Sequence, residues 1–272
     1  MELFVGVVLY RNAYEELARL VRSLEVARTT RGTPPFEVLW LDNSPEAECR
    51  PHLERLLPGA RYQASPSNLG FGSAHNRLMR EAFRSRDARF YVCLNPDAVL
   101  HPNCLRELTA VASKGPRAGL VEARLFPEEH GKPYDPVSYE TPWCTGCVLL
   151  VTRPLFDATG GFDEQIFMYC EDVDLSWRAR ASGFSTRVAP AALAHHYVEE
   201  RPLSTARELQ VRRSAAYLGR KYGNRRFEQR WWEEYLALGG APTPLPRPPK
   251  LPKGAAALAD FRHLLKFSEV RW

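Results

Sequence analysis

Apolar runs and helical leucine repeats alternate along the first part of the chain. The run LFVGVVLY at residues 3–10 is typical of a strand covered on both faces, and Leu17, Leu20, Val21 and Leu24 follow it at helical spacing. The segments FEVLWLDNSP, RYQAS and RFYVCLNPDAVL repeat the strand pattern, and each is followed by a helical segment. This order predicts an α/β fold with an open, mostly parallel sheet and helices on both faces.

The pattern becomes irregular after residue 115. Strands are predicted near AGLVEARLF, CVLLVT and STRVAP, and helices over about 171–182, 204–222 and 226–238. We expect five segments: an α/β half at 1–115, a second half of the same domain at 116–205, a helical extension at 206–240, a proline-rich extended linker at 241–253 and an amphipathic C-terminal helix at 254–272.

The predicted C-terminal helix carries apolar residues on one face and basic residues on the others. The apolar set is Leu258, Phe261, Leu264 and Leu265, and the basic set is Arg262, His263 and Lys266. Docking on the body of the protein is the expected arrangement, while a homodimer contact or a peripheral membrane contact through this helix stays open.

Composition places the chain among ordinary globular proteins. Its 272 residues are 44% hydrophobic and 25% charged, which excludes disordered and fibrous classes. The six cysteines lie among apolar neighbours, so we expect buried, reduced thiols. A net charge of +5 does not indicate a nucleic-acid partner, although basic residues concentrate after Arg201 and suit an anionic one.

The location expected from the sequence is the cytoplasm. The first residues, MELFVGVVLYRNAYEEL, lack the basic segment of a secretory signal, and no apolar run reaches the length that spans a bilayer. Peripheral contact at the inner face of the membrane is an open alternative.

Polar residues follow three of the predicted strands at their carboxyl ends. Asp42, Asn68 and Asp97 each come just after a strand, at the edge of an open α/β sheet where ligands bind. In the Asn95-Pro96-Asp97 turn, the acid is placed to hold a divalent cation against a diphosphate. The alternative is that these residues only form the turn, since all of them favour turns.

Three acids lie close together in the stretch IFMYCEDVDLSWRARASGF. Glu171, Asp172 and Asp174 stand at the start of a predicted helix, where acids complement the helix dipole. Asp174 also lies four residues before Arg178, which is the spacing of a helical ion pair. Taken alone, the stretch favours a structural role over catalysis.

Several shorter motifs carry no function by themselves. GFGSAH lacks the third glycine of a dinucleotide fingerprint, and the sequence has neither a phosphate-binding loop nor a nucleophile elbow. CTGC at 144–147 has the spacing of a redox or zinc pair but lacks a second pair. The neighbouring His195 and His196 offer an imidazole ligand, although such a pair is more often structural.

In combination and in this order, the motifs resemble those of family 2 glycosyltransferases. They are VGVVLYRNAYEELARLVRSL, LDNSP, SPSNLGFGSAHNRLM, LNPDAVL, GGFDEQIFMYCEDVDLSWRARASGF and AHHYVEERPLS, and they cover residues 3–205. The most specific part is Phe-Asp-Glu followed by Glu-Asp-x-Asp-Leu-x-x-Arg. The chain is most similar to the rhamnosyltransferase branch, which carries Asn-Pro-Asp where other members carry Asp-x-Asp.

The resemblance implies a GT-A fold in which 1–115 binds the nucleotide sugar and 116–205 binds the acceptor. It implies an inverting transfer with Asp172 as the general base and Glu171 beside it. The implied donor site comprises Asp42, Asn68, Gly70, Asn76, Asn95, Asp97 and Arg178; the acceptor side comprises Trp143 and Gly146; Asp97 and His195 are the implied ligands of Mg²⁺ or Mn²⁺.

Two departures from the family pattern bear on the metal. Asn95 replaces the first acid of Asp-x-Asp, so Asp97 is the one carboxylate of that motif. His195 and His196 are neighbours, and a strand points neighbouring side chains to opposite faces, so only one of them reaches the site.

The sequence leaves alternatives open for the donor, the acceptor and the class of protein. The branch suggests dTDP-rhamnose as donor, while related members use UDP-hexoses, and the family's acceptors are growing polysaccharides, lipid-linked glycans or small molecules. A non-catalytic sugar-nucleotide or glycan-binding module is one alternative, disfavoured because the acids at 97 and 172 are both present. A sugar-nucleotide nucleotidyltransferase is another, disfavoured because LYRNAYEE lacks a glycine-rich loop.

Overall fold

The computed structural model describes residues 1–115, 117–197 and 204–265. The first elements are β1 (Leu3–Leu9), α1 (Tyr14–Thr29), β2 (Phe36–Asp42), α2 (Arg50–Leu56), β3 (Arg61–Ala64), α3 (Gly70–Ala82), β4 (Phe90–Leu94), β5 (Ala98–Leu100) and α4 (Cys104–Ala112). They are followed by β6 (Ala118–Phe126), β7 (Val148–Thr152), α5 (Arg153–Thr159), α6 (Glu171–Ala181), β8 (Ser185–His196), α7 (Thr205–Lys221) and α8 (Arg225–Ala237). The predicted alternation of strands and helices is confirmed.

The strands of the described residues form one sheet in the order β3-β2-β1-β4-β7-β6-β8-β5. β3, β2, β1 and β4 are parallel neighbours, and Leu3 of β1 lies opposite both Phe36 and Phe90. β7 runs antiparallel to β4 and to β6, β8 runs parallel to β6, and β5 runs antiparallel to β8. The sheet is therefore parallel in its first half and mixed in its second.

Apolar side chains cover both faces of the sheet. Leu20 of α1, Leu53 of α2 and Leu105 of α4 belong to the core on one face. Leu78 of α3 and Leu175 of α6 belong to the core on the other face. Because both faces are covered, β1 is buried along nearly all of its length, which explains its unbroken apolar sequence.

The C-terminal extension packs on α6. Trp177 of α6 and Leu218 of α7 share a third apolar cluster with residues that follow the proline-rich segment. That segment, 241–253, contains neither helix nor strand, as expected of an extended linker. It is nevertheless docked, because Leu245 is buried against α7 and its carbonyl accepts a 2.8 Å hydrogen bond from Arg220.

The predicted amphipathic helix over 254–272 is wrong for its described part. Only Ala255–Leu258 form a single 3-10 turn there. Phe261 packs between Trp177 and Phe227, with ring centroids 5.0 and 4.7 Å apart. This segment is therefore irregular. Its apolar side chains pack against the chain's own helices and do not form one helical stripe.

Parts of two predicted features lie outside the described residues. These are residues 266–272 of the C-terminal segment and residues 198–203, where the basic region after Arg201 begins. Within the described ranges, no helix combines the length and the apolar character that crossing a membrane requires.

Candidate active site

A cleft of about 810 Å³ opens at the carboxyl ends of β1 and β4. Most of the predicted site residues line it: Asn68, Gly70, Asn95, Asp97, Trp143, Gly146, Glu171 and Asp172. The predicted residues Asp42, Asn76, Arg178 and His195 are not part of its wall. The strand-end turns and the start of α6 thus meet in one place.

The chain enters α6 through two residues with a left-handed backbone. Tyr169 and Cys170 have φ angles of +69° and +67°, a conformation that is costly for residues with a side chain. The carbonyl of Cys170 then accepts a 3.0 Å hydrogen bond from the backbone of Asp174. This turn places Glu171 and Asp172 at the N-terminus of the helix, in the wall of the cleft.

Both carboxylate oxygens of Asp172 accept backbone hydrogen bonds. Oδ2 accepts from the N–H of Gly146 at 2.7 Å, and Oδ1 accepts from the N–H of Val173 at 2.8 Å. Burial raises the pKa of Asp172, while these two donors act in the opposite direction. A fixed carboxylate with a raised pKa is suited to take a proton from a hydroxyl group in the cleft.

Glu171 is buried beside it. None of the described residues hydrogen-bonds its Oε2 atom. Burial, and then the charge of Asp172, raise the pKa of Glu171 well above its usual range. Burial therefore raises the pKa of both carboxyl groups, and at Asp172 the N–H groups of Gly146 and Val173 act against it.

The turn after β4 brings Asp97 to the end of β8. The turn leads directly into the short strand β5, whose Ala98 pairs with His196. Nε2 of His196 lies 3.3 Å from Oδ1 of Asp97, and both side chains line the cleft. The strand β5 was not predicted, because three residues directly after a polar turn carry too little pattern.

His196, and not the predicted His195, is the histidine at the cleft. The ring of His195 packs against Tyr197 with centroids 4.2 Å apart, away from Asp97. The alternation of side chains along β8 explains why only one of the two neighbours reaches the site. The choice between the two faces was not readable from the sequence.

Asp97 and His196 are suitable metal ligands. A carboxylate oxygen and an imidazole nitrogen are both ligands that Mn²⁺ accepts. The described residues contain no group of three or more side chains that could hold a metal ion.

Asn68 and Gly70 form the turn that begins α3. The Oδ1 atom of Asn68 accepts a 2.9 Å hydrogen bond from the N–H of Gly70. Gly70 has a φ of +76°, and a Cβ there would lie 2.0 Å from the carbonyl oxygen of Phe167. A side chain cannot fit at this position, so glycine is required where α3 meets the loop before α6.

Asp42 and Asn76 hold loops and do not face the cleft. Asp42 accepts hydrogen bonds from the backbone of Ser44 and Cys49 and from the hydroxyl of Tyr62. Its neighbour Asn43 lines the cleft instead. The predicted direct role of Asp42 in binding the nucleotide base does not fit this geometry, because its oxygens serve the protein's own donors.

Asn76 is fully engaged by the Gly-Phe-Asp-Glu loop. Its amide donates to the carbonyl of Phe162 at 2.9 Å and accepts from the N–H of the same residue at 2.8 Å. The amide also donates to Glu164. The predicted donor-site role is therefore replaced by a role in fixing this loop.

Arg178 also has a structural role. It pairs with the fully buried Asp174 at 2.8 Å and donates to the carbonyls of Thr159 and Gly161. Lys221 of α7 lies 2.7 Å from Asp174. The helical ion pair predicted from the sequence is confirmed, while Arg178 does not reach the donor side of the cleft.

Lys221 completes a charge-balanced buried network. Besides Asp174, its ammonium contacts Asp163 at 2.6 Å, and the hydroxyl of Tyr217 donates to the same carboxylate. The network ties α6, α7 and the Gly-Phe-Asp-Glu loop together. Functional acids were predicted at the start of α6, but the contributions of Asp163 and Lys221 were not foreseen.

The loop before β7 carries Trp143 and Gly146, which were predicted on the acceptor side. Trp143 is buried at the cleft wall, and Nζ of Lys132 lies 3.9 Å from the centroid of its ring. Lys132 in turn pairs with Glu122 of β6 at 2.7 Å. Sequence reasoning missed both residues, although an acid inside the apolar strand AGLVEARLF was a usable signal.

The C-terminal extension supplies one wall of the cleft. Arg207 and Val211 come from α7, Trp231 from α8, and Leu264 from the irregular segment after them. This wall also contains Glu208 and its ion-pair partner Arg212, so it combines charged groups with apolar side chains. It was not predicted, because the packing of the extension back onto the cleft leaves no periodic signal.

The cysteines behave as the composition suggests. All six lie among the described residues and are buried. Burial raises the pKa of Cys144 well above its usual range, which keeps it as a thiol. The predicted reading of these residues as small buried hydrophobes is confirmed.

The chain is similar in sequence to known glycosyltransferases. The family model described as glycosyl transferase family 2 matches residues 5–171. The chain is 27% identical to an N-acetylglucosaminyl-diphospho-decaprenol L-rhamnosyltransferase of Mycobacterium tuberculosis, covering 74% of this chain and 78% of that protein. It is 28% identical to the rhamnosyltransferase WbbL of Escherichia coli, covering 59% of this chain and 75% of that protein.

The fold has a similar solved structure. The mannosyltransferase PcManGT of Pyrobaculum calidifontis, in complex with GDP-Man and Mn²⁺, superposes with a TM-score of 0.61 at 16% identity. The match covers 88% of this chain and 68% of that chain. The α/β sheet is thus of the GT-A type. The chain belongs to glycosyl transferase family 2 and is a rhamnosyltransferase-like glycosyltransferase.

Proposed function

We propose that this glycosyltransferase moves a sugar from a nucleoside-diphosphate sugar to a hydroxyl group of its acceptor, with inversion at the anomeric carbon. The observation that carries the proposal is that Asp172 and the Asp97–His196 pair line the same cleft. One group suits the acceptor hydroxyl and the other suits the diphosphate. A single displacement needs both.

In the proposed step, the acceptor hydroxyl gives its proton to the carboxylate of Asp172. The hydroxyl oxygen bonds to the anomeric carbon, and the bond between that carbon and the diphosphate oxygen breaks. The nucleoside diphosphate leaves with the electron pair of the broken bond. Inversion follows because no covalent sugar–enzyme intermediate forms, and the N–H groups of Gly146 and Val173 keep the base in place.

The proposed cofactor is Mg²⁺ or Mn²⁺, held by Asp97 and His196. Two protein ligands and open positions suit a cation shared with a diphosphate. The similar mannosyltransferase structure is a complex with GDP-Man and Mn²⁺. When bound, the cation would supply positive charge to the departing diphosphate.

The donor is proposed to be dTDP-rhamnose, with a UDP-hexose as the second choice. Two relatives that align with this chain over most of their own lengths are rhamnosyltransferases. Asn68, Gly70 and Asn95 line the donor side of the cleft in this proposal. Asn43, which also lines the cleft, takes the place first expected for Asp42.

The acceptor is proposed to be a glycan that carries an anionic, lipid-linked portion. The wall from the C-terminal extension supports this choice, because it combines Arg207 with Val211, Trp231 and Leu264. The relative from Mycobacterium tuberculosis acts, by its name, on a diphospho-decaprenol acceptor. A lipid-linked N-acetylglucosamine diphosphate is therefore the first acceptor to test.

The experiment is an incubation of the protein with dTDP-rhamnose or UDP-hexoses, Mn²⁺ and this acceptor. The proposal predicts acceptor-dependent release of nucleoside diphosphate and a glycosylated product. Release of pyrophosphate would instead indicate a nucleotidyltransferase. Donor binding without any product, across the panel of donors and acceptors, would indicate a binding module.

A further inference from the structure

Two carboxylates hold neighbouring backbone amides in the loop before β7. Oε2 of Glu122 accepts a 2.6 Å hydrogen bond from the N–H of Thr145. Oδ2 of Asp172 accepts a 2.7 Å hydrogen bond from the next N–H, that of Gly146. The position of the proposed base is therefore tied, through one peptide unit, to Glu122 on β6.

Glu122 is itself held by Lys132. The two side chains are 4% and 6% exposed, and Nζ of Lys132 lies 2.7 Å from the same Oε2 atom that Thr145 contacts. The ammonium also lies over the ring of Trp143, 3.9 Å from its centroid. Lys132 thus contacts both Glu122 on β6 and Trp143 in the loop before β7.

We propose that Lys132 is a positioning residue for Asp172. It neutralises Glu122 and holds Trp143, so that the loop presents the N–H of Gly146 to the base. This inference rests on the proposed function of Asp172, and it adds a residue outside the recognisable motifs of the chain. Lys132 does not line the large cleft, so it acts through the loop and through its charge.

The charges around Asp172 give Lys132 a second effect. Glu171 and Asp174 lie on the same helix, Cys93 faces the pair from β4, and Glu122 faces it from β6. Cys144 and Lys132 also lie near Asp172, and the ring of His130 packs edge-on against Trp143 at a centroid distance of 4.9 Å. The charge of Lys132 lowers the pKa of Asp172, against the larger effect of burial.

The test compares Lys132→Met with Lys132→Arg and with Lys114→Met, a change of an exposed lysine between α4 and β6. For Lys132→Met we expect kcat to fall about tenfold or more, because small displacements of a catalytic group are costly, with the KM for the donor unchanged. The acidic limb of the kcat profile should move to higher pH. Lys132→Arg should recover part of kcat, and Lys114→Met should match the native enzyme.

A second variant covers the case in which Lys132→Met fails to fold. The double variant Glu122→Gln/Lys132→Met removes both charges, so neither is left buried without its partner. The amide oxygen introduced by Glu122→Gln can still accept the hydrogen bond from the N–H of Thr145. We expect it to fold and to keep a reduced kcat, since Trp143 has lost its cationic contact. Its acidic limb should move less than that of Lys132→Met, because the anion of Glu122 is removed as well. A native kcat in this variant would overturn the proposal.

A readout without activity separates this inference from the proposed function. Hydrogen exchange at the amides of Thr145 and Gly146, measured by NMR, should be faster in Lys132→Met while the amides of β1 stay protected. Unchanged exchange at both amides would overturn the positioning role. Faster exchange in a protein whose native form transfers no sugar would overturn the proposed function alone.

Discussion

The backbone N–H of Gly146 donates a 2.7 Å hydrogen bond to Oδ2 of Asp172. This contact joins the loop before β7 to the first turn of α6. Strand β7 and helix α5 lie between these two segments in the chain. A Cβ at position 146 would lie 3.2 Å from the ring of Phe71 and 3.5 Å from Cβ of Asp172. Glycine therefore lets the loop approach close enough to hold the carboxylate.

The two neighbouring histidines give a matched test of the cation site. Asp97→Ala and His196→Ala should each weaken binding of the donor in the presence of Mn²⁺ by about tenfold or more, since each removes a ligand. His195→Ala should change that affinity by less than about twofold, because its ring packs on Tyr197. Calorimetry with and without Mn²⁺ measures the difference. If His196→Ala lowers the donor affinity no more than His195→Ala does, His196 is not a ligand of the cation.

The pH dependence of kcat reports the environment of Asp172. Because burial raises its pKa, the base loses activity by protonation at a higher pH than an ordinary aspartate, whose pKa is about 4. We expect the acidic limb of the kcat profile to lie above that value. Initial rates at saturating substrates across the pH range provide the measurement, and a limb at or below about 4 contradicts the assignment.

Glu171 is expected to make stability depend on pH. Its pKa in the folded state is raised above the usual 4.5, so its contribution to stability is fully present below 4.5 and is lost as the pH rises through the folded value. Glu171→Gln removes this loss. The free energy of unfolding of the variant, relative to the native protein, should therefore increase as the pH rises. Urea titrations at several pH values test this, and a constant difference is the opposing outcome.

Lys221 should be essential for stability and not for the chemistry. Lys221→Met leaves the buried carboxylates of Asp163 and Asp174 with less positive charge, and breaking a buried pair costs about 3–5 kcal/mol. The exposed Lys250 offers a control, and Lys250→Met should stay within about 0.5 kcal/mol of the native protein. Urea denaturation measures both variants. Similar midpoints would show that the network contributes little.

The sequence was a good guide where a pattern repeats. The apolar runs of β1 and β4 and the leucine spacing of α1 predicted the sheet and its helices, because burial on both faces forces such runs. Asp97 was predicted at the carboxyl edge of the sheet because it follows a strand, whereas Asp172 was predicted at the site only through the family resemblance; both line the cleft.

The rest depended on information that local patterns do not contain. A polar side chain near a cleft can bind a ligand or the protein's own backbone, and Asp42 at the end of β2 and Asn76 within α3 bind the backbone. The direction of His196 toward Asp97 depends on the pairing of β5 with β8. Lys132 lies in an irregular stretch, and its partner Glu122 is brought to it by tertiary structure alone.

Replacement of Asp172 by Asn tests the central claim most directly. The change preserves size but removes the group that takes the proton from the acceptor, so transfer should fall by about 10²- to 10⁴-fold. Donor affinity in the presence of Mn²⁺ should stay close to native, because Asp97 and His196 are unchanged. The exposed Asp157 on α5 provides the matched control, and Asp157→Asn should transfer sugar at the native rate. Transfer by Asp172→Asn at a near-native rate, with donor binding intact, would contradict the account.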